Sequence, residues 1–291
     1  MAEKRGTAPA ILAAAESAAK AADRLGEAFA RELRQVLRRT ERALPDILAA
    51  NRLDLLGEGD VASRALWRAA SRYQIRQALR RAGFDALAEG AYGPALDPVV
   101  RKVLALRRAS GFTDAQLTPN QALQLEAFGA IYRLDLLGEG DVATRALWRA
   151  AVRGVFGGSN VRVILDELAK ILDRTEPQIR TLYDTSVSVL GRQVESLQAS
   201  DDPTTLFAFV GPVDSVTRPW CLEHVGRVYT RAEIDALNNG QISPVFLTGG
   251  GYACRHVFIE LSRASELRDL HGTDERIPEV QVELKALKGA A

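Results

Sequence analysis

Apolar residues recur at three- and four-residue spacing through most of the chain, the mark of helices with one buried face. Leu25, Phe29, Leu33, Val36 and Leu37 predict such a helix over residues 8–44, and Ile47, Leu48 and Leu53 carry the core onward past Pro45. A helical pattern holds until Gly83, breaks at Gly90, Gly93, Pro94 and Pro98, and resumes to about Arg108 before a loop over 111–119. Gly157 and Gly158 signal a turn before an amphipathic segment over 161–172. Thr175, Glu176, Pro177 and Gln178 then read as a capping box with proline in the first turn. Ile179, Leu182, Tyr183, Val187, Leu190, Val194 and Leu197 trace one face of the helix that follows. Ser200, Asp201, Asp202 and Pro203 end it.

One stretch repeats. RLDLLGEGDVASRALWRAA at 52–70 returns at 133–151, with Thr144 in place of Ser63. Gly57 and Gly138 are each expected to end one helix, and Asp60 and Asp141 to cap the next, so each copy predicts a helix-turn-helix corner. Trp67 and Trp148 take matching places on the second helix, where a large ring fills a core gap. Two copies are too few for a solenoid, and a DNA-reading motif would need more polar residues on the second helix.

The pattern changes after residue 203. Residues 206–261 combine short apolar strands, a helical turn near Arg231 and the run GGGYACRHVFIEL, which predicts a compact α+β module. Both cysteines lie there. Cys221-x-x-His224 and Cys254-x-His256 offer four soft or borderline ligands, a number that suits one structural tetrahedral zinc. Two other readings stay open: buried apolar cysteines, or a disulfide closing a loop of about thirty residues, which a reducing cytoplasm disfavours. A hydrolase using Glu223, His224 and His256 around a metal is a further alternative. Asp214 and Arg218 read as an ion pair supporting the turn before Cys221, and the glycines at 249–251 lack the lysine of a phosphate loop. The tail beyond 263, with His271 and an alternation at Val280, Val282 and Leu284, reads as an arm. The expected architecture is mainly α: a helical region over 1–200 containing the repeat, a small α+β module over 204–262, and a tail over 263–291.

A composition of 47% hydrophobic and 26% charged residues suits a globular chain, and no apolar run predicts a signal peptide or a membrane span. The net charge is +1, but the basic groups gather towards the start: residues 1–110 carry about +7 and residues 111–291 about −6. Such a gradient suits a protein placed between an acidic and a basic partner, with DNA among the candidates for the basic half.

Val210-Gly211-Pro212, Asp214, Thr217-Arg218-Pro219-x-Cys221, Gly226-x-Val228-Tyr229 and Gly250-Gly251-Tyr252-x-Cys254-Arg255-His256 together resemble the phage head morphogenesis, or Mu F-like minor capsid, family. The YDTSVSVLGRQVESL helix and the 73–87 segment resemble its helical half. The resemblance implies a non-catalytic minor head protein of a tailed phage, present in the virion head and, during assembly, in the host cytoplasm. Its partners would be the portal protein, other capsid components and packaged DNA, with no membrane. Many relatives close the module with Pro-x-Cys-Arg-Cys, whereas this chain has Cys254 and His256, so metal binding is not carried over by resemblance. The competing reading is a zinc-stapled nucleic-acid-binding protein.

Overall fold

The structure, a computed structural model, describes residues 6–50, 61–156 and 161–289. It is mainly helical, with one small sheet. The helices are α1 (Ala8–Ala50), α2 (Val61–Arg81), α3 (Phe84–Gly90), α4 (Asp97–Ala109), α5 (Pro119–Phe156) and α6 (Val161–Ser196). Then come β1 (Leu206–Val210), α7 (Pro219–His224), β2 (Val228–Thr230), α8 (Arg231–Ala236), α9 (Val245–Thr248), β3 (Val257–Glu260) and α10 (Pro278–Gly289). Among the described residues no helix is long and apolar enough to cross a membrane.

The chain forms two compact units: residues 1–26, 93–129 and 184–291 in one, residues 27–92 and 130–183 in the other. This division differs from the expected boundary near 200. The last turns of α6 belong with the sheet, because residues 189–195 are buried on every side and include two ionic side chains that bond to the sheet region. The tail over 263–291 also belongs to that unit. Leu267, Ile277 and Val280 are buried, the Ile277 amide donates to the Gly226 carbonyl at 2.9 Å, and the expected alternation at 280–284 is a turn of α10.

Two expected helix breaks are absent. α5 runs unbroken through Gly138, Gly140 and Asp141, so the second repeat copy is not a corner. Leu136, Ala143, Leu147 and Ala150 keep a buried face at helical spacing, and Gly140 is required small, since a Cβ there would lie 2.6 Å from the Phe84 ring. A helical glycine costs about 1 kcal/mol against alanine, which that packing exceeds. The corner expected at Gly57 and Asp60 and the side chain of Trp67 lie outside the described residues. Trp148 is half-buried.

α6 likewise passes through the expected capping box. Thr175 donates its hydroxyl to the Ile171 carbonyl at 2.8 Å, a bond made inside a helix, and Pro177 is accommodated within α6. Leu168, Leu172, Ile179 and Tyr183 hold one buried face across the site of the expected restart, and Phe29 stacks on Tyr183 at 4.0 Å.

In the sheet-bearing unit the strand order is β2-β1-β3, all antiparallel, with Phe207 opposite Tyr229 and Phe209 opposite Phe258. β1 is buried along its whole length, and Phe207, Phe209, Phe246 and Phe258 form its aromatic core. Thr230 caps α8 reciprocally with Glu233, which explains why the chain leaves β2 directly into a helix.

Candidate metal centre

Two short segments converge beside β1. Pro219 occupies the first turn of α7, where its missing N–H costs nothing, and sets Cys221 facing the core. The second segment, 249–256, wraps tightly around the sulfurs. Gly249 has φ 55° and ψ −128°, a conformation open to glycine, and a Cβ on Gly250 would collide with Cys221 Sγ. Ala253 takes φ 49° to complete the turn.

Cys221 Sγ lies 3.7 Å from Cys254 Sγ, and Cys254 Sγ lies 3.9 Å from His256 Nδ1. Ligand atoms of all three residues fall within 4.8 Å of one another, and all three side chains are buried. Cys254 and His256 lie before β3, which begins at Val257, and the turn brings them together. Both cysteines are free thiols rather than a disulfide.

Arg192 closes the cluster from α6. Its guanidinium donates to the carbonyls of His256 at 2.8 Å, Leu247 at 3.0 Å and Cys254 at 2.5 Å. Cys254 Sγ also receives the Gly250 amide at 3.2 Å and the His256 amide at 3.4 Å. The hydrogen bond from Cys221, with Arg192 and His256 alongside, holds the Cys254 thiol well below its ordinary range against the effect of burial. The same bond, then burial, pushes Cys221 up. Arg192 is thus the cation beside the two buried sulfurs, and with the Cys221 hydrogen bond it favours the ionised form of Cys254. Burial lowers Arg192 itself, and the two sulfurs oppose that shift.

This donor set fits a metal. Zinc–sulfur bonds of about 2.3 Å at tetrahedral angles separate two sulfurs by about 3.8 Å, close to the spacing of Cys221 and Cys254. His256 turns Nδ1 towards the Cys254 sulfur, the side from which it could share an ion with the two cysteines, while its Nε2 is buried without a protein partner. Cys221, Cys254 and His256 could thus hold a metal ion.

His224 does not join them. Its Nδ1 bonds the Tyr229 hydroxyl at 2.7 Å and its ring packs 4.0 Å from that of Trp220, while burial lowers its pKa. Helix spacing brings residues 221 and 224 to neighbouring positions, but these two aromatic partners hold the imidazole away from the sulfurs. The expected Asp214–Arg218 pair is also replaced. Asp214 binds Arg255 at 2.6 Å, and that bond keeps its carboxyl below the usual range. Arg218 instead donates to the Gly250 carbonyl at 3.1 Å. Glu223 is exposed.

Sequence reasoning missed the ionic groups behind the sheet. Arg107 of α4 binds Glu195 at 2.8 Å and Glu260 at 2.9 Å, with all three residues buried. Glu195 also accepts the Glu260 amide at 2.9 Å, which ties α6 to β3. Gly191, Arg192 and Gln193 fall between Leu190 and Val194, off the helix's apolar face, so helical spacing gave no signal that they are buried. No protein-family model, no curated protein and no solved structure matches the chain.

Proposed function

We propose that the chain is a structural minor head protein of a tailed phage, docking at or near the portal, and that Cys221, Cys254 and His256 form a structural zinc staple within it. The observation that carries the non-catalytic reading is closure of the site. Cys221, Cys254 and His256 are 2%, 4% and 3% exposed, and the cavity beside Cys254 and His256 measures about 40 Å³, room for little more than a water molecule. A catalytic zinc needs water and substrate at its fourth position; with His224 held away the site has three protein donors, and it is their burial that keeps substrate from the fourth.

The residues that carry the family resemblance hold scaffold positions, as expected of a structural signature. A Cβ on Gly211 would lie 2.6 Å from the His256 ring, Asp214 ties Thr217 to Arg255, and Gly226 has φ 80° with Val280 packed against it. In this reading the arginine-rich first 110 residues face DNA or an acidic portal surface.

Two experiments test the two parts. The protein should co-purify with portal and proheads, and deleting its gene should abolish infectious particles. Normal particles without it, or turnover of a nucleic acid lost in Glu223→Gln, would overturn the head-protein reading. Protein purified without chelator should carry one zinc per chain, and EDTA should lower its melting temperature, since structural sites of this kind contribute on the order of 10 kcal/mol. Metal-free protein whose melting ignores EDTA would remove the staple and leave the cluster as a packed thiol pair.

A further inference from the structure

The solvent-facing side of α5 carries four large apolar residues: Leu123, Ile131, Leu134 and Val142, at 63%, 54%, 65% and 45% exposure. Exposed Ala127 and Gly138 fall between them on the same face. Successive positions along this stripe are 4, 4, 3, 4 and 4 residues apart. That is an eleven-residue repeat of about 3.67 residues per turn, which keeps a stripe nearly parallel to the axis of a straight helix.

The order of sizes along the stripe is large, small, large, large, small, large. It reads the same in either direction, with its centre between Tyr132 and Arg133. Gly138 adds a second observation. A glycine inside a helix needs a reason, and for Gly138 the chain itself supplies none, since a Cβ there would meet nothing within 4 Å.

We propose that α5 pairs antiparallel with α5 of a second copy of this chain about a two-fold axis at residues 132–133. In that pairing Leu123 meets Val142, Ile131 meets Leu134, and Ala127 meets Gly138, where two small residues allow close approach of the helices. The stripe runs about 28 Å. At its ends Gln124 faces Asp141 and Asn120 faces Arg145, so polar groups meet across the rim, while Glu126 and Glu139 fall opposite each other further round the helix, off the stripe. An isologous two-fold interface requires a patch complementary to itself, and inversion symmetry in a stripe is what such a contact demands. A different partner gives no reason for the symmetry. A contact this narrow lies at the small end of specific interfaces, where many complexes are weak and transient, so the association is to be sought over about 1–100 μM.

Sedimentation equilibrium on the full chain should show the mass doubling across that concentration range, and Leu134→Glu should stay monomeric with an unchanged circular dichroism spectrum. Orientation is read by mild oxidation. Leu123→Cys chains mixed with Val142→Cys chains should cross-link, while Leu123→Cys alone should not. A wild-type monomer at the highest concentration, a dimer that survives Leu134→Glu, or self-cross-linking of Leu123→Cys would each overturn the proposal.

Discussion

Arg192→Met is expected to destabilise the protein by about 3–5 kcal/mol, the range for removing one partner from a buried charged network. Methionine roughly fills the space but leaves three carbonyl oxygens, of Leu247, Cys254 and His256, without their donor. It also removes the positive charge beside the Cys254 sulfur, so the ionised form of that sulfur loses its counter-charge in a dry site. Arg192→Lys keeps the charge and loses the planar fork, so it should recover only part of the loss. Urea unfolding followed by circular dichroism measures both. Combining Arg192→Met with Cys254→Ser gives the coupling, expected at 1 kcal/mol or more if the guanidinium acts through the sulfur. A loss below about 0.5 kcal/mol for Arg192→Met would mean that the bonds to Arg192 are dispensable.

Glu195→Gln should have the opposite sign above neutral pH. Arg107 is the one cation between two buried carboxylates, and burial pushes Glu195 up to about 7 despite Arg107 and the Glu260 amide. Because the folded protein holds this proton more tightly than the unfolded chain, the stabilisation is complete below the ordinary value near 4.5. It is lost as pH rises through about 7. The gap corresponds to about 3 kcal/mol. Glutamine stays neutral and can still accept from Arg107 and the Glu260 amide, with Glu260 left as the sole counter-charge. The variant should therefore match the wild type near pH 4.5 and exceed it by about 1–3 kcal/mol at pH 8. Parallel stability curves for the two proteins between pH 5 and 8 would show that Glu195 does not titrate in this window.

Much of the architecture was legible in spacing. The breaks at Gly83, Gly93 and Pro94, the loop before Pro119, the end of α6 and the strand-and-helix alternation of the module follow from local signals that packing leaves in force. The failures share one cause. Gly138 with Asp141, and Thr175 with Pro177, are end signals worth about a kilocalorie or a few, and in both places a continuous apolar face runs through the signal and outweighs it. At the candidate site, Cys221, Cys254 and His256 were readable from residue type, and the structure brings them together. The displacement of His224 was not readable, because it depends on Tyr229, a partner on β2, and on how Trp220 turns. Nor were Arg192 and Glu195. Helical spacing marks which face is apolar, but it cannot show that a helix end is enclosed on all sides and that its charged residues are buried with the rest.

The sheet-bearing unit is assembled from residues 1–26, 93–129 and 184–291, a division with consequences for synthesis. Ala8, Ile11, Ala15 and Leu106 complete a core whose other buried members begin at Leu206. At 5–20 residues per second, the first 26 residues leave the ribosome roughly 10–30 s before residue 184 does. During that interval the apolar face at the start of α1 has only the 93–129 segment, with Leu106, to pack against. Contacts between residues this far apart in the chain close slowly, so this face stays partly uncovered until the last third emerges. A fragment spanning 204–262 alone would lack Arg107, Arg192 and Glu195, and with them the ions that anchor its turn and its third strand.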